Sequence, residues 1–353
     1  MFLKTHKTAS SSVTSILNRF VDTNNLEMAL PHGAEHRFFW PEPFRARTVD
    51  LSRLRNGKAD FLCNHAVFSS RSEFQKVLHP HTKYITILRD PVERFESMFY
   101  FEGFHKLYPN NATQNPLLSF VDSIDDKHLK DNMTLQQLIQ FPLLVRNGMI
   151  FDLTSYVSQD IPTGEQFDTH INQVAETFDF VLLAEYFDEG LVLLRKFFNW
   201  SFLDLVYQRK NTRRIRHQEL LTAEVRKKVG WLNKGDIDLY NHFKTLFHKR
   251  IEIYGEEFER DLEIFRVLNG NMNIQCKQSD SIVSKADMKY AMEEIYVTRR
   301  EMEMIGDLEN IPNCFCTKLW RGEIQYVEYF KNKFLPYHFL MDNEEDRETD
   351  LGC

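Results

Sequence analysis

The sequence predicts an α/β fold with a central, mainly parallel sheet flanked by helices. Short apolar runs rich in β-branched and aromatic residues alternate with segments of helical period, which is the pattern of a parallel sheet covered by helices. The 353 residues are 42% hydrophobic and 13% aromatic, enough to bury a large core. The net charge of −7 disfavours a broadly basic protein that binds nucleic acid. No apolar run is long enough to cross a membrane.

The predicted elements follow one another along the chain. Strands are short apolar runs, and helices have apolar residues three or four positions apart, often behind a capping residue. Strands are predicted at the first residues, 59–68, 83–88 and 178–187, and helices at 13–20, 92–101, 191–198, 222–233, 236–253 and 282–303. The polar stretch 103–132 is expected to be a long surface excursion. The acidic stretch 342–350 is expected to be a solvated tail.

We expect a catalytic domain over residues 1–270 and a C-terminal helical or irregular extension over 271–353, packed on it and ending in the acidic tail. The most informative motif begins four residues from Met1, so an N-terminal part is expected to be missing. The sequence has five cysteines, a small and odd number that does not indicate a disulfide scaffold. The pairing stays open between Cys314 or Cys316 and Cys276 or Cys353. Three N-x-S/T sequons, at Asn111, Asn132 and Asn199, favour a secretory-pathway lumen.

The first motif is a loop of lysines and small hydroxyl residues between a strand and a helix. A loop in this position directs backbone N–H groups and a helix N-terminus at an anion, and a lysine adds a point charge. Its candidate phosphate-binding residues are Lys4, Thr5, Lys7, Thr8, Ala9, Ser10, Ser11 and Ser12. The loop is not a Walker A motif, because G-x-x-x-x-G-K-[ST] is absent. The alternative is a basic turn before an ordinary helix.

The second motif is Arg89-Asp90-Pro91 at the end of a predicted strand, with Ser97 two helical turns on. Arginine at a strand end can bind a phosphate with two hydrogen bonds, and a serine hydroxyl can donate to the same group. Ligands of open α/β sheets bind at these carboxyl ends. The alternative is that Arg89 and Asp90 only pair around a helix cap.

Together the two motifs resemble sulfotransferases that use 3′-phosphoadenosine-5′-phosphosulfate (PAPS). The stretches FLKTHKTASSS, ILRDPVERFESMFYF, RNGMIFDL and LLAEYFDEGLVLLRKFF are similar to the Golgi galactose 3-O-sulfotransferases, a family that includes galactosylceramide (cerebroside) sulfotransferase. The resemblance implies a P-loop-like PAPS sulfotransferase fold, PAPS as sulfonate donor without a metal, and a β-galactoside on a glycolipid or glycan as acceptor. It also implies a lumenal domain in the Golgi, held at the membrane by a type II anchor that this sequence lacks.

The resemblance assigns roles within the motifs. Lys7 would contact the sulfonate and the bridging oxygen, the rest of the loop would wrap the 5′-phosphate, and the Arg89…Ser97 pair would bind the 3′-phosphate. Ala9 stands where many relatives have glycine, which requires a negative φ at this position. The basic stretch 207–214 would close over the nucleotide, through Lys210, Asn211 and Arg213.

Two histidines are candidates for the base that removes the proton of the acceptor hydroxyl. His65 lies on the predicted strand 59–68, in a layout similar to that of heparan sulfate 2-O-sulfotransferases, and is the preferred candidate. His6 lies inside the loop between two lysines, which are expected to lower its pKa and keep it neutral. Residues 146–148 and Asp152 would line the sugar cleft or form a plain turn.

Three other functions remain open. A P-loop kinase or NTPase would need the missing glycine and an acidic magnesium ligand. A glycosaminoglycan (uronosyl 2-O-like) sulfotransferase would need a long basic groove, which the charge of −7 does not favour. A non-catalytic relic that binds nucleotide or glycan would keep the motifs without turnover. The choice between lipid and glycoprotein acceptors and the oligomeric state are not determined.

Overall fold

The computed structural model describes residues 1–33, 37–107, 115–125, 131, 133–157, 164–208, 221–277 and 315–334. Its centre is a parallel sheet of three short strands in the order β1 (Phe2–Leu3), β2 (Ile85–Leu88) and β3 (Phe180–Leu183). In register, Phe2 pairs with Ile85, and Ile85 with Phe180. All ten strand residues are buried, as expected for a sheet covered on both faces. The predicted α/β class with parallel strands is confirmed.

Helices pack around the sheet, and some of them form a second apolar cluster beside it. In chain order they are α1 (Ser10–Thr23), α2 (Arg71–Gln75), α3 (Pro91–Phe101), α4 (Pro116–Asp122), α5 (Leu135–Val145), α6 (Gly148–Thr154), α7 (Gly164–Thr177), α8 (Phe187–Phe198), α9 (Phe202–Leu205), α10 (Ala223–Leu232), α11 (Lys234–Tyr254), α12 (Glu257–Lys277), α13 (Phe315–Trp320) and α14 (Glu323–Lys333). The predicted helices at 13–20, 92–101, 191–198, 222–233 and 236–253 are confirmed. None of the helices in the described ranges is long and apolar enough to cross a membrane.

The predicted strand at 59–68 is wrong as a regular element. This segment is extended and lies beside β1, where the Phe2 amide donates to the Leu62 carbonyl at 2.8 Å. It otherwise forms only isolated bridges, among them Arg37 with His65 and Pro43 with Val67. The alternating apolar pattern is therefore real, but each partner segment is too irregular to continue a ladder.

The stretch 103–132 is not a surface excursion in its described parts. Phe104 and Phe120 of this stretch are fully buried and stack at 5.1 Å between ring centroids. With residues of α3, α5 and α10 they form a second apolar cluster, separate from the one around the sheet. The sequence signal for a helix in this stretch lies in the start of α4 and not in its few apolar residues: Asn115 is the capping residue and Pro116 occupies the first helical position. These two signals were overlooked.

The described C-terminal segment, 315–334, packs on α1. A disulfide joins Cys276 at the end of α12 to Cys316 in α13, one of the pairings left open by the sequence. Asp22 of α1 accepts ion pairs from Lys318 and Lys333, with its side chain only 1% exposed. The predicted helix at 282–303, the acidic tail, Cys314 and Cys353 lie outside the described residues.

Candidate active site

The candidate site lies at the carboxyl edge of the sheet. The loop 4–12 follows β1, Arg89 follows β2, and Glu185 follows β3. The Asp90 amide donates to Glu185 at 2.9 Å, and the Tyr240 hydroxyl donates to the second Glu185 oxygen at 2.9 Å. Glu185 thus joins the starts of α3 and α8 to α11, and the three strand ends form one edge, as in other open α/β sheets.

Three hydroxyls of the loop hold the loop itself together. The Thr5 hydroxyl donates to the Ile87 carbonyl at 2.5 Å, and the Thr8 hydroxyl lies 2.7 Å from that of Thr5. The Ser10 hydroxyl donates to the Thr5 carbonyl at 2.8 Å. All three side chains are buried. Their contribution to an anion site is therefore the shape of the backbone, while Lys7, Ala9 and Ser11 reach the surface of the loop.

The loop backbone is strained at two positions. Lys7 has φ 65° and Ala9 has φ 64°, both in the left-handed region. The expectation of a negative φ at Ala9 is wrong, and the alanine adopts the left-handed conformation that glycine takes at the lowest cost. Left-handed residues beside right-handed ones turn successive N–H groups toward one point, which makes an anion-binding concavity. The strained positions thus fit a phosphate cradle at the start of α1.

Lys4 lies beneath the loop rather than on its surface. Its side chain is 3% exposed, its ammonium forms an ion pair with Glu323 of α14, and it donates to the Ser11 hydroxyl at 3.3 Å. Burial lowers the pKa of Lys4, and the Glu323 carboxylate opposes that shift. The C-terminal segment therefore contributes a charge directly at the loop.

Arg89 connects the loop to α3. Its Nη1 donates to the Lys7 carbonyl at 3.2 Å, and its Nη2 lies 3.9 Å from a carboxylate oxygen of Glu93. Asp90 caps α3 by accepting the N–H groups of two first-turn residues at 3.0 Å, as predicted. Ser97 lies one helical turn beyond Glu93 on the same face and is partly exposed. The arginine and serine therefore face the same side of α3.

His6 is oriented by a carboxylate. Asp152 Oδ2 accepts both the His6 backbone N–H and Nδ1–H, each at 2.9 Å, and Asp152 Oδ1 accepts from the Trp40 indole at 2.9 Å. In the neutral ring with its proton on Nδ1, Nε2 carries the lone pair. His6 Nε2 is buried and has no hydrogen-bond partner among the described residues. A buried acceptor with no partner is costly unless a ligand supplies one.

His65 stacks on His6, with ring centroids 4.1 Å apart and planes 19° apart. Its Nδ1 donates to the Lys4 carbonyl at 3.2 Å. Burial lowers the pKa of His65 well below its usual value, and the nearby His6, Lys4 and Arg37 lower it further. His65 is therefore neutral at neutral pH, which suits either a base or a packing partner for His6.

Asp152 is positioned by the start of its helix, α6. Asp236 of α11 accepts the N–H groups of Met149 and Ile150 at 3.1 and 2.9 Å, and Asn233 accepts the Asn147 N–H at 2.9 Å. Burial raises the pKa of Asp236. Asn233 and Asp236 thus cap the start of α6, while the neighbouring Trp231 is 61% exposed. The cap places the last turn of α6 against the loop.

The structure brings most of the predicted site together and adds residues that the sequence did not single out. Lys4, Thr5, His6, Lys7, Thr8, Ala9, Ser10, Ser11, Ser12, His65 and Arg89 are at one edge of the sheet, with Ser97 further along α3. Lys210, Asn211 and Arg213 lie outside the described residues. Trp40, Glu93 and Glu323 were missed, since no spacing in the sequence links them to the loop. Asp152 was considered only for the sugar cleft.

The donor set fits an anion. Lysine and arginine side chains and N–H groups converge on the loop, and the described residues contain no cluster of three or more His, Cys, Asp or Glu able to hold a metal ion. Beside them lies His6 Nε2, a buried nitrogen with no hydrogen-bond partner among the described residues. The arrangement can hold a negatively charged group beside a group that accepts a proton.

Comparison with known proteins agrees with this chemistry. The family model described as galactose-3-O-sulfotransferase matches residues 1–334. A galactosylceramide sulfotransferase of Bos taurus is 32% identical over 336 residues, which cover 93% of this chain and 76% of that protein. Galactose-3-O-sulfotransferase 3 of Bos taurus is 30% identical over 350 residues, covering 94% and 78%.

A galactosylceramide sulfotransferase of Mus musculus is 33% identical over 278 residues, 78% of this chain. The matched part spans 63% of the mouse protein's own length. The resemblance seen in the motifs is thereby confirmed across the chain: this protein belongs to the galactose-3-O-sulfotransferase family.

Proposed function

We propose that this protein transfers a sulfonate group from PAPS to the 3-hydroxyl of a terminal β-galactose on a glycolipid or a glycan. The observation that carries the proposal is His6. Its Nδ1 is fixed by Asp152, and its Nε2 is a buried acceptor with no partner among the described residues. It lies in the loop whose strained backbone suits an anion.

The loop at the start of α1 is proposed as a P-loop-like cradle for the 5′ end of the donor. Lys7 and the loop N–H groups would hold it, with Arg89 and Ser97 at the 3′-phosphate, and the residues present are compatible with this ligand. When bound, PAPS supplies the sulfonate group and leaves as adenosine 3′,5′-bisphosphate. Lys7 Nζ now lies 3.4 Å from the centroid of the Phe101 ring, which holds the ammonium by a cation–π contact.

His6 is proposed as the base, in preference to His65. The acceptor hydroxyl loses its proton to His6 Nε2 while its oxygen bonds to sulfur, and Asp152 stabilises the positive charge that develops on the ring. Lys7 and the N–H groups of the loop stabilise the negative charge on the departing 5′-phosphate. His65, stacked on His6 and neutral, keeps the imidazole plane in place.

Golgi localisation, with a lumenal catalytic part and a membrane anchor, remains a proposal supported by family membership. The Cys276–Cys316 disulfide supports an oxidising compartment. The division into a catalytic part, 1–270, and an extension that packs on it also remains a proposal. It is supported by the contacts of α13 and α14 with α1.

Transfer of labelled sulfonate from PAPS tests the function. The acceptors are galactosylceramide, lactose, N-acetyllactosamine and heparan sulfate, and we expect label on the galactosides. His6→Ala should lower kcat about 10²–10⁴-fold, the usual effect of losing general base catalysis. Asp152→Asn should lower kcat by about tenfold or more, because a neutral amide replaces the negative charge that stabilises the protonated His6 ring. The affinity for adenosine 3′,5′-bisphosphate should change little.

His65→Ala is the matched control, because it removes an imidazole in contact with His6. We expect a smaller loss of kcat than in His6→Ala. A larger loss in His65→Ala would return the base to His65. Label on heparan sulfate alone would move the acceptor to the glycosaminoglycans. Binding of adenosine 3′,5′-bisphosphate without any transfer would favour a non-catalytic relic.

A further inference from the structure

A second arginine lies beside the Arg89…Ser97 pair. Arg226, in the first turns of α10, places its Nη2 3.5 Å from one carboxylate oxygen of Glu93. The other Glu93 oxygen lies 3.9 Å from Arg89 Nη2. One carboxylate therefore brings two guanidinium groups to the face of α3 that carries Ser97. The sequence motif contains only the first of these arginines.

The position of Arg226 is held from both ends. Its Nε donates to the Leu221 carbonyl at 3.2 Å, and its backbone N–H donates to the Thr222 carbonyl at 2.9 Å. Thr222 caps α10 through the Val225 N–H. The guanidinium is thereby directed from α10 across to α3, and its side chain is 47% exposed, so solvent and ligands reach it.

Two guanidinium groups flank the carboxylate of Glu93, an arrangement that suits an anion. A guanidinium has five N–H donors, of which Arg226 uses two in the contacts described. A positive side chain near a helix N-terminus also interacts unfavourably with the helix dipole. An anion at this point would offset that cost.

We propose that Arg226 is a further binding residue for the 3′-phosphate of the donor, acting with Arg89 and Ser97, while Glu93 holds both guanidinium groups in place. This inference rests on the proposed function, since it concerns the same donor. Two forked side chains give a phosphate more than one charge-assisted pair, and they make the site selective for nucleotides with a 3′-phosphate.

The test compares two nucleotides, adenosine 3′,5′-bisphosphate and adenosine 5′-phosphate, by calorimetric titration and by inhibition of sulfonate transfer. Arg226→Ala should lower the affinity for the bisphosphate by about ten- to a hundredfold, which is the effect of losing one charge-assisted hydrogen-bonded pair. It should change the affinity for the 5′-phosphate by less than about twofold, because that nucleotide lacks the recognised group. Arg226→Lys should recover part of the loss.

Lys227→Ala is the matched control. Lys227 is the next residue of α10, is exposed, and makes no ion pair with a described residue, so its removal reports only the loss of a charge at similar range. An equal loss for both nucleotides, or an Arg226→Ala effect no larger than that of Lys227→Ala, would overturn the inference while leaving the proposed function intact. Wild-type protein that fails to bind the bisphosphate would overturn both.

Discussion

At the scale of single residues, the backbone of the loop at Ala9 is a cost that the site requires. A non-glycine residue in the left-handed region costs about 1–2 kcal/mol of stability. Glycine avoids this strain but lowers stability by about 0.5–1 kcal/mol, because it loses more conformational freedom on folding. With φ 64° at Ala9, Ala9→Gly should raise the free energy of unfolding by about 0.5 kcal/mol. Urea unfolding measures it. Ala223→Gly, at an exposed position in a helix, should lower the free energy of unfolding instead. A lower free energy of unfolding in both variants would contradict backbone strain at Ala9.

His65 makes stability depend on pH. Its pKa is lowered in the folded protein, so below pH about 6.5 the unfolded chain binds a proton that the folded chain does not. That part of the stability is complete above pH about 6.5 and is lost as the pH falls toward the folded-state pKa. In His65→Asn the free energy of unfolding should fall less steeply between pH 6.5 and 5 than in wild type. Identical slopes would contradict a neutral, buried His65.

Residue chemistry was predictable where a motif carries it. Arg89 and the Asp90 cap follow from local spacing, and the structure places them at the predicted end of β2, whereas Lys4 is buried beneath the loop. The pairing of Asp152 with His6 and the approach of Arg226 to Glu93 could not be found in this way, because each is a tertiary contact from a distant helix. The sign of φ at Ala9 was mispredicted, since alanine alone does not report what the loop demands.

At the scale of elements, the short helix α6 carries Asp152 to His6, and its first residue must be glycine. A Cβ at Gly148 would lie 1.9 Å from Arg94 Nη2 and 2.9 Å from the Leu143 carbonyl. Arg94 is fully buried and its guanidinium donates to the Leu144 carbonyl at 3.1 Å, so it cannot move aside easily. The close packing of α6 on this arginine is therefore incompatible with any side chain at position 148.

Gly148→Ala should accordingly lower the free energy of unfolding by about 2–3 kcal/mol, the usual cost of overpacking. Because α6 positions Asp152, kcat should fall as well. The control is Gly270→Ala in α12, where nothing lies within 4 Å of the added methyl group. That change should raise stability by up to about 1 kcal/mol through helix propensity. Equal effects of the two substitutions on thermal unfolding would show that α6 has room at its start.

Elements were predictable where period and cap agree, and not elsewhere. The segments that became α3 and α8 combine apolar residues at helical spacing with a capping residue or an acidic first turn, and β2 comes from a short run rich in β-branched residues. The segment 59–68 has the alternation of a strand, but its neighbours offer only isolated bridges. Pairing partners are a tertiary property, so the local pattern overstated its regularity.

At the scale of the whole molecule, the C-terminal segment completes the protein around α1. Glu323 reaches Lys4 and Ser11 beneath the loop, and Lys318 and Lys333 surround Asp22. The ion pair with Glu323 offsets part of the cost of burying Lys4, whose pKa burial lowers. The galactose-3-O-sulfotransferase family model extends to residue 334 and therefore includes this segment.

The Cys276–Cys316 disulfide links the C-terminal segment to α12, and its loss should lower the free energy of unfolding of the whole protein. Its sequence separation is 40, for which loop closure in the unfolded chain amounts to about 4 kcal/mol. The double variant Cys276→Ser, Cys316→Ser should lose about 2–4 kcal/mol in urea unfolding, and dithiothreitol should bring wild type to the same value. Cys63→Ala is the control: burial raises the pKa of this free thiol to about 12, so it takes no part in thiol exchange, and the variant should still respond to reductant. A double variant as stable as oxidised wild type would mean that the ion pairs at Asp22 and Lys4 hold the segment without the covalent link.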